Sequence, residues 1–110
     1  MNIYSYERSH MNDSLKNIDD TTLIDLADLF KVFADSTRMR IMYRLFDGKM
    51  SVGDIAQALD MSQSAISHQL KYLKDVNLVK SKRDGKSMLY YLSDDHVKTI
   101  IQTGLEHIKE

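Results

Sequence analysis

The sequence predicts a mainly α fold of the α+β class, and three observations carry that prediction. Apolar residues recur at helical spacing in five separate stretches between Thr21 and Glu110. One further stretch, LVKSKRDGKSMLYYL, alternates loosely around an Asp-Gly dipeptide, which favours a β-hairpin with a two-residue turn. At 110 residues, with 43% apolar and 28% charged side chains, the chain is large enough for one modest core but not for two.

The elements follow in order. Residues 1–18 show no sustained period and are expected to form a flexible N-terminal segment; Tyr4, Tyr6 and Met11 lie there, and His10 receives no role. Residues 19–110 are expected to form the domain. In TTLIDLADLFKVFA, Leu23, Leu26, Ala27, Phe30 and Ala34 share one helical face and should bury a broad stripe, with Thr21 or Thr22 as the cap. DSTRMRIMYRLFDGK follows, with Ser36 as its cap, Ile41, Met42, Leu45 and Phe46 inward, and Gly48 at its end.

SVGDIAQALD starts a third helix at Ser51, with Asp54 three residues on in a variant of the capping box, and turns Ile55, Ala56 and Leu59 inward. After Asp60-Met61, Ser62 caps a fourth, SQSAISHQLKYLKDVN, whose buried side is Ala65, Ile66, Leu70 and Leu73. Two short helices joined tightly, the second polar at its start, make a helix-turn-helix. A basic hairpin, Leu78 to Leu92 around Asp84-Gly85, directly after it is a wing. The terminal segment returns to helical period, with Ser93 as its cap.

Composition removes several function classes. Without cysteine there is no disulfide framework, no thiolate metal site and no cysteine nucleophile. No apolar run is long enough for a bilayer, no secretory signal opens the chain, and a cytoplasmic location is the default. The net charge of -1 is unevenly spread: residues 35–92 carry ten basic and six acidic groups, whereas both flanks are acidic. A cationic centre suits an anionic partner.

A helix entering the major groove offers its first two turns to base edges. Here those turns present Gln63, Ser64, Ser67 and His68, which are small or hydrogen-bonding, with Lys71 one turn on for a phosphate. Lys82, Arg83 and Lys86 surround the hairpin turn and suit backbone phosphates or a minor groove, and Arg38 and Arg40 are further backbone candidates. Taken singly, each residue is equally a solvated surface position. The ordered set of cap, turn, polar second helix and basic wing points to double-stranded DNA.

MSVGDIAQALDMSQSAISHQLKYLKDVNLVKSKRDGKSMLYYL resembles the winged helix-turn-helix of the ArsR/SmtB family of metal-responsive bacterial repressors. The signature Ser-x-Ser-x-x-Ser-His-x-Leu runs from Ser62 through Leu70, and FADSTRMRIMYRL is similar to the family's second helix. The resemblance spans roughly residues 20–110. It implies a homodimer with N- and C-terminal dimerisation helices, binding to operator DNA, and release by an inducer that derepresses metal efflux or sequestration genes.

The terminal helix identifies the inducer class. His96 and His107 stand eleven residues apart, which in an ideal helix is about three turns with about 20° left over and about 16 Å of rise. They share a face but cannot reach one ion, since zinc–nitrogen bonds are roughly 2 Å long. Two such helices running antiparallel bring His96 of one to His107 of the other, and a two-fold axis produces the site twice. Val97, Ile100, Ile101, Leu105 and Ile108 form the apolar stripe whose edge the ligands line.

The resemblance extends to this site. The family's fifth-helix sensor pattern, Asp-x-His-x10-His-x2-(His or Glu), is met by Asp94, His96, His107 and Glu110, a set suited to Zn(II) or to Co(II) in its place. Where the family's other metal site has cysteines, Ser51 and Gly53 stand, so that site is absent. An acceptor for the second ring nitrogen of His107 is expected at a main-chain carbonyl near Asn77. The competing reading is an ArsR-type DNA-binding regulator with a different trigger. An enzyme is not expected, because no His-Glu-x-x-His or nucleophile triad is present and four protein ligands leave no open position.

Overall fold

The structure is a computed structural model that describes residues 17–110. The expectations for residues 1–16, including Tyr4, Tyr6, His10 and Met11, lie outside the described residues. Two compact units divide at Phe33 and Ala34.

The first unit contributes helix α1, Asp20–Phe33. Its cap is Asp19 rather than either threonine: the Asp19 carboxylate accepts from the Thr22 N–H at 2.8 Å. That bond holds the Asp19 carboxyl below its ordinary range, so the cap is intact at neutral pH and is lost only as acid protonates it. The expected burial of a broad stripe is not met within one chain. Val32 and Phe33 are buried, but Leu23, Leu26 and Phe30 remain 51%, 45% and 50% exposed. The periodicity of α1 reports an apolar face, and one copy of the chain leaves that face uncovered.

The second unit holds helix α2 (Ser36–Arg44), a short 3-10 turn (Leu45–Asp47), strand β1 (Met50–Ser51) and helix α3 (Val52–Leu59), followed by helix α4 (Gln63–Asp75). Strands β2 (Val79–Asp84) and β3 (Ser87–Leu92) and helix α5 (Asp95–Lys109) complete it. The cap of α2 is Asp35, whose carboxylate accepts from the Arg38 N–H at 3.0 Å, and not Ser36. An ionised acceptor at the positive end of a helix is the stronger one. Ser51 and Ser62 cap α3 and α4 as the sequence indicates, accepting from Asp54 and Ala65 N–H groups at 3.1 Å each.

Ile41, Met42, Ile55, Ile66, Leu70, Leu73 and Val79 are fully buried, so α2, α3, α4 and β2 meet in one core. Phe46 and Ala65, expected inward, are half-buried at its margin.

The helix-turn-helix corner depends on a left-handed residue. Asp60 has φ 55 and ψ 51; its N–H donates to the Gln57 carbonyl and the Met61 N–H to that of Ala56, the double closure of a Schellman motif. Asn77 ends α4 in the same way, with φ 64 and the Leu78 N–H donating to the Leu73 carbonyl at 2.9 Å. Glycine occupies such positions with less strain, so Asp60→Gly is expected to raise stability by roughly 0.5–1 kcal/mol, read from the urea midpoint.

The sheet has the order β1-β3-β2 and is antiparallel throughout. Its register shifts the expected turn by one residue. Asp84 pairs with Ser87, so the two loop residues are Gly85 and Lys86, and positive φ falls on Gly85 alone. That is the pattern of a II′ turn, which needs glycine only at its first central position. Strand β1 was not expected; two residues are too short to show a period, and their pairing with Tyr90 and Leu89 is a long-range event.

Candidate functional site

Helix α4 separates its faces completely. Ile66, Leu70 and Leu73 are buried, whereas Gln63, Ser64, Ser67, His68 and Lys71 are exposed. The polar start of the helix is exposed. One of its members has a local partner: Ser64 Oγ lies 3.3 Å from Ser62 Oγ.

Arg38 and Arg40, the further backbone candidates, each have an internal partner. Arg38 Nε donates to Gln69 Oε1 at 3.3 Å, and its guanidinium lies 4.4 Å from the Tyr72 ring centroid. Arg40 Nη2 donates to the Leu59 carbonyl at 3.2 Å, satisfying an orphan acceptor at the end of α3. Both arginines fix the helix-turn-helix onto α2. Gln69 and Tyr72, three residues apart on α4, are positioning residues that the sequence reading missed, since only the tertiary approach of α2 shows what they hold.

On the wing, Lys82 pairs with Leu89 and Arg83 with Met88, so the two cations point to opposite faces of the sheet. Lys86 sits in the loop. Lys49, not singled out in the sequence, joins this group. Its Nζ lies 5.6 Å from the Tyr91 ring centroid, and the neighbouring Lys82 ammonium lowers its proton affinity below that of an ordinary lysine, with Asp84 opposing.

Helix α5 carries two donor pairs at its ends. Asp94 lies 3.5 Å (Oδ1) from His96 Nδ1, and His107 Nδ1 lies 3.9 Å from Glu110 Oε2. All four side chains are exposed, the histidines at 92% and 84%. Among the described residues no three such groups come together to hold a metal, so the structure does not unite the two pairs within one chain. Imidazole and carboxylate donors in equal number do fit a tetrahedral zinc shell in chemical type. The apolar stripe divides accordingly: Val97 and Ile101 are buried, whereas Leu105 and Ile108 stand exposed, Ile108 at 78%.

Two local expectations change. Asp94, not Ser93, caps α5: its Oδ1 accepts from the His96 and Val97 N–H groups at 2.9 and 3.3 Å. The Ser93 N–H is instead committed to the Leu78 carbonyl beyond the sheet's end, and its hydroxyl is buried without a hydrogen bond. Nor does His107 bond to a carbonyl near Asn77; its partner is Glu110. The cap role makes a separable prediction. In metal-free protein, Asp94→Ala is expected to cost roughly 1 kcal/mol, and Asp94→Asn no more than about 0.5 kcal/mol, because an amide oxygen also caps. Urea denaturation measures both.

Residues 35–81 match the family described as bacterial regulatory protein, arsR family. The chain is 33% identical over 101 residues to a cadmium resistance transcriptional regulatory protein CadC homolog of Staphylococcus aureus, covering 91% of this chain and 84% of that protein. It is 38% identical over 85 residues to a transcriptional repressor SmtB homolog of Synechocystis sp., covering 77% of this chain and 64% of that protein.

Among solved structures, the homodimeric winged helix-turn-helix DNA-binding domain Mb0332 of Mycobacterium bovis is similar at a TM-score of 0.76 and 26% identity, covering 87% of this chain and 92% of that one. These similar proteins are regulators rather than enzymes. No described helix is long and apolar enough to cross a membrane. With its helix-turn-helix, its basic hairpin and most of its length matched in this way, the chain belongs to the arsR family of bacterial regulatory proteins.

Proposed function

We propose that this protein is a homodimeric repressor that binds operator DNA through residues 19–110 and is released by Zn(II), or by Co(II) in its place, held between subunits by Asp94, His96, His107 and Glu110. The observation that carries this reading is the separation of two exposed donor pairs to opposite ends of α5. Each pair is half of a four-ligand shell, and an antiparallel second copy supplies the other half twice over. The exposed apolar residues of α1 and the outer half of α5 give that second copy a surface to cover.

The DNA reading rests on α4 and the wing. Gln63, Ser64, Ser67 and His68 take base edges, while Lys71, Lys82, Arg83 and Lys86 take phosphates. When bound, the ion supplies the charge that ties two carboxylates and two imidazoles across the two-fold axis. Tied α5 helices restrict the spacing of the two α4 helices. Where that spacing misses successive major grooves, operator affinity falls, and DNA lowers metal affinity by the same factor.

A mixing experiment tests the assignment. Neither His96→Ala nor His107→Ala homodimers retain a complete site, but a mixed dimer regains one, from His96 of one protomer and His107 of the other. Zinc titration of co-refolded protomers should therefore recover tight binding that both parents lack. Absence of recovery in verified heterodimers sinks the inter-subunit site. Tight zinc binding that leaves operator affinity unchanged sinks the release mechanism.

A further inference from the structure

We infer that the outer face of the wing sheet is an additional phosphate-binding surface, on which Lys49 and Lys80 act with Lys82 on the DNA backbone. The register assembles this face from two parts of the chain. Met50 pairs with Tyr90, which sets Lys49 level with Tyr91; Tyr91 pairs with Lys80, and Leu89 with Lys82. Alternation along each strand then puts Lys49, Lys80, Lys82, Leu89 and Tyr91 on one side, opposite buried Val79, with the Asp84 carboxylate on the same side at the strand's end.

Three ammonium groups thus share a face around one aromatic ring, and among the described residues none of the three forms an ion pair with a carboxylate. Lys82 is close enough to Lys49 to lower its proton affinity, with Asp84 opposing. Like charges held together on a short sheet are unfavourable for folding and favourable for an anion. Lys80 and Lys82 stand about 7 Å apart along β2, and Lys86 lies beyond them in the loop at the tip. A row of cations continuous with the wing suits a row of phosphates better than a single small anion.

This inference rests on the DNA-binding reading, and the test separates the two. Wild-type protein first selects a duplex from a random-sequence pool, and affinity for that duplex and a shuffled one is followed by anisotropy across a salt series. Each phosphate contact contributes about 0.9 to the slope of log K against log salt. Lys49→Gln should reduce the slope by about 0.9 and the Lys49→Gln/Lys80→Gln pair by about twice that, equally for both duplexes. Lys49→Arg should keep the wild-type slope. Thermal midpoints should not fall, because glutamine relieves the Lys49–Lys82 repulsion.

An unchanged slope in the double variant overturns the inference while the DNA reading stands. If the wild type selects no duplex, both fall together.

Discussion

Replacing His107 by alanine is expected to weaken Zn(II) binding by more than about a hundredfold, since even a partner one shell further from a metal is worth 10–100-fold. The metal-free variant should bind its duplex within about twofold of wild type, because phosphate and base contacts carry DNA affinity. His107 is 84% exposed and among the described residues its side chain partners Glu110, so its removal leaves no cavity and no orphaned buried group. Competition against a chelating dye measures the first quantity and anisotropy the second. The variant should consequently remain on DNA at zinc concentrations that release the wild type. Wild-type zinc affinity in the variant would remove His107 from the site, whereas a parallel loss of DNA binding would point to a folding defect.

Leu70→Ala is the second large effect, expected to cost roughly 3 kcal/mol of stability. Leu70 is fully buried on the inner side of α4, the helix that carries the proposed base readers. Its truncation removes apolar burial and leaves a void that close-packed neighbours refill only in part. Domains of this size are stable by roughly 5–15 kcal/mol, so the loss is a large fraction of the total. Urea denaturation should show a lower midpoint at similar slope. Where enough folded protein remains, DNA binding should weaken without a change in salt slope, since no phosphate contact has been removed. A cost below about 1 kcal/mol would mean that this side of α4 is far less constrained than its burial implies.

Much of the fold was legible because it is local. Ser51 and Ser62 sit just before apolar periods and cap through their own hydroxyls, and the buried faces of α3 and α4 follow from spacing alone. The hairpin was legible through Gly85, although its two-residue loop lies one position later than the dipeptide suggested. Caps were misplaced where a serine or threonine stood beside an aspartate. Asp19, Asp35 and Asp94 all outcompete the neighbouring hydroxyl, an ionised acceptor being preferred at a helix's positive end.

The candidate site divides similarly. The pairing of Asp94 with His96 and of His107 with Glu110 was readable, since the members lie two or three residues apart and the structure brings each pair to ion-pair range. The internal partners of Arg38 and Arg40 were not legible, because a cationic side chain looks the same in sequence whether it meets DNA, Tyr72 or the end of α3.

By itself, then, the sequence determined the helical periods, the polar start of α4, the basic hairpin and the impossibility of one α5 closing a metal shell. Each depends on residues within a few turns of one another, where spacing and rotation are fixed by backbone geometry. Tertiary structure alone decided the third strand, the internal partners of the arginine heads, the uncovered halves of α1 and α5, and the lysine face around Tyr91. Those depend on which distant segments meet, and the approach of Lys49 to the Tyr91 ring leaves no periodic trace in the chain that makes it.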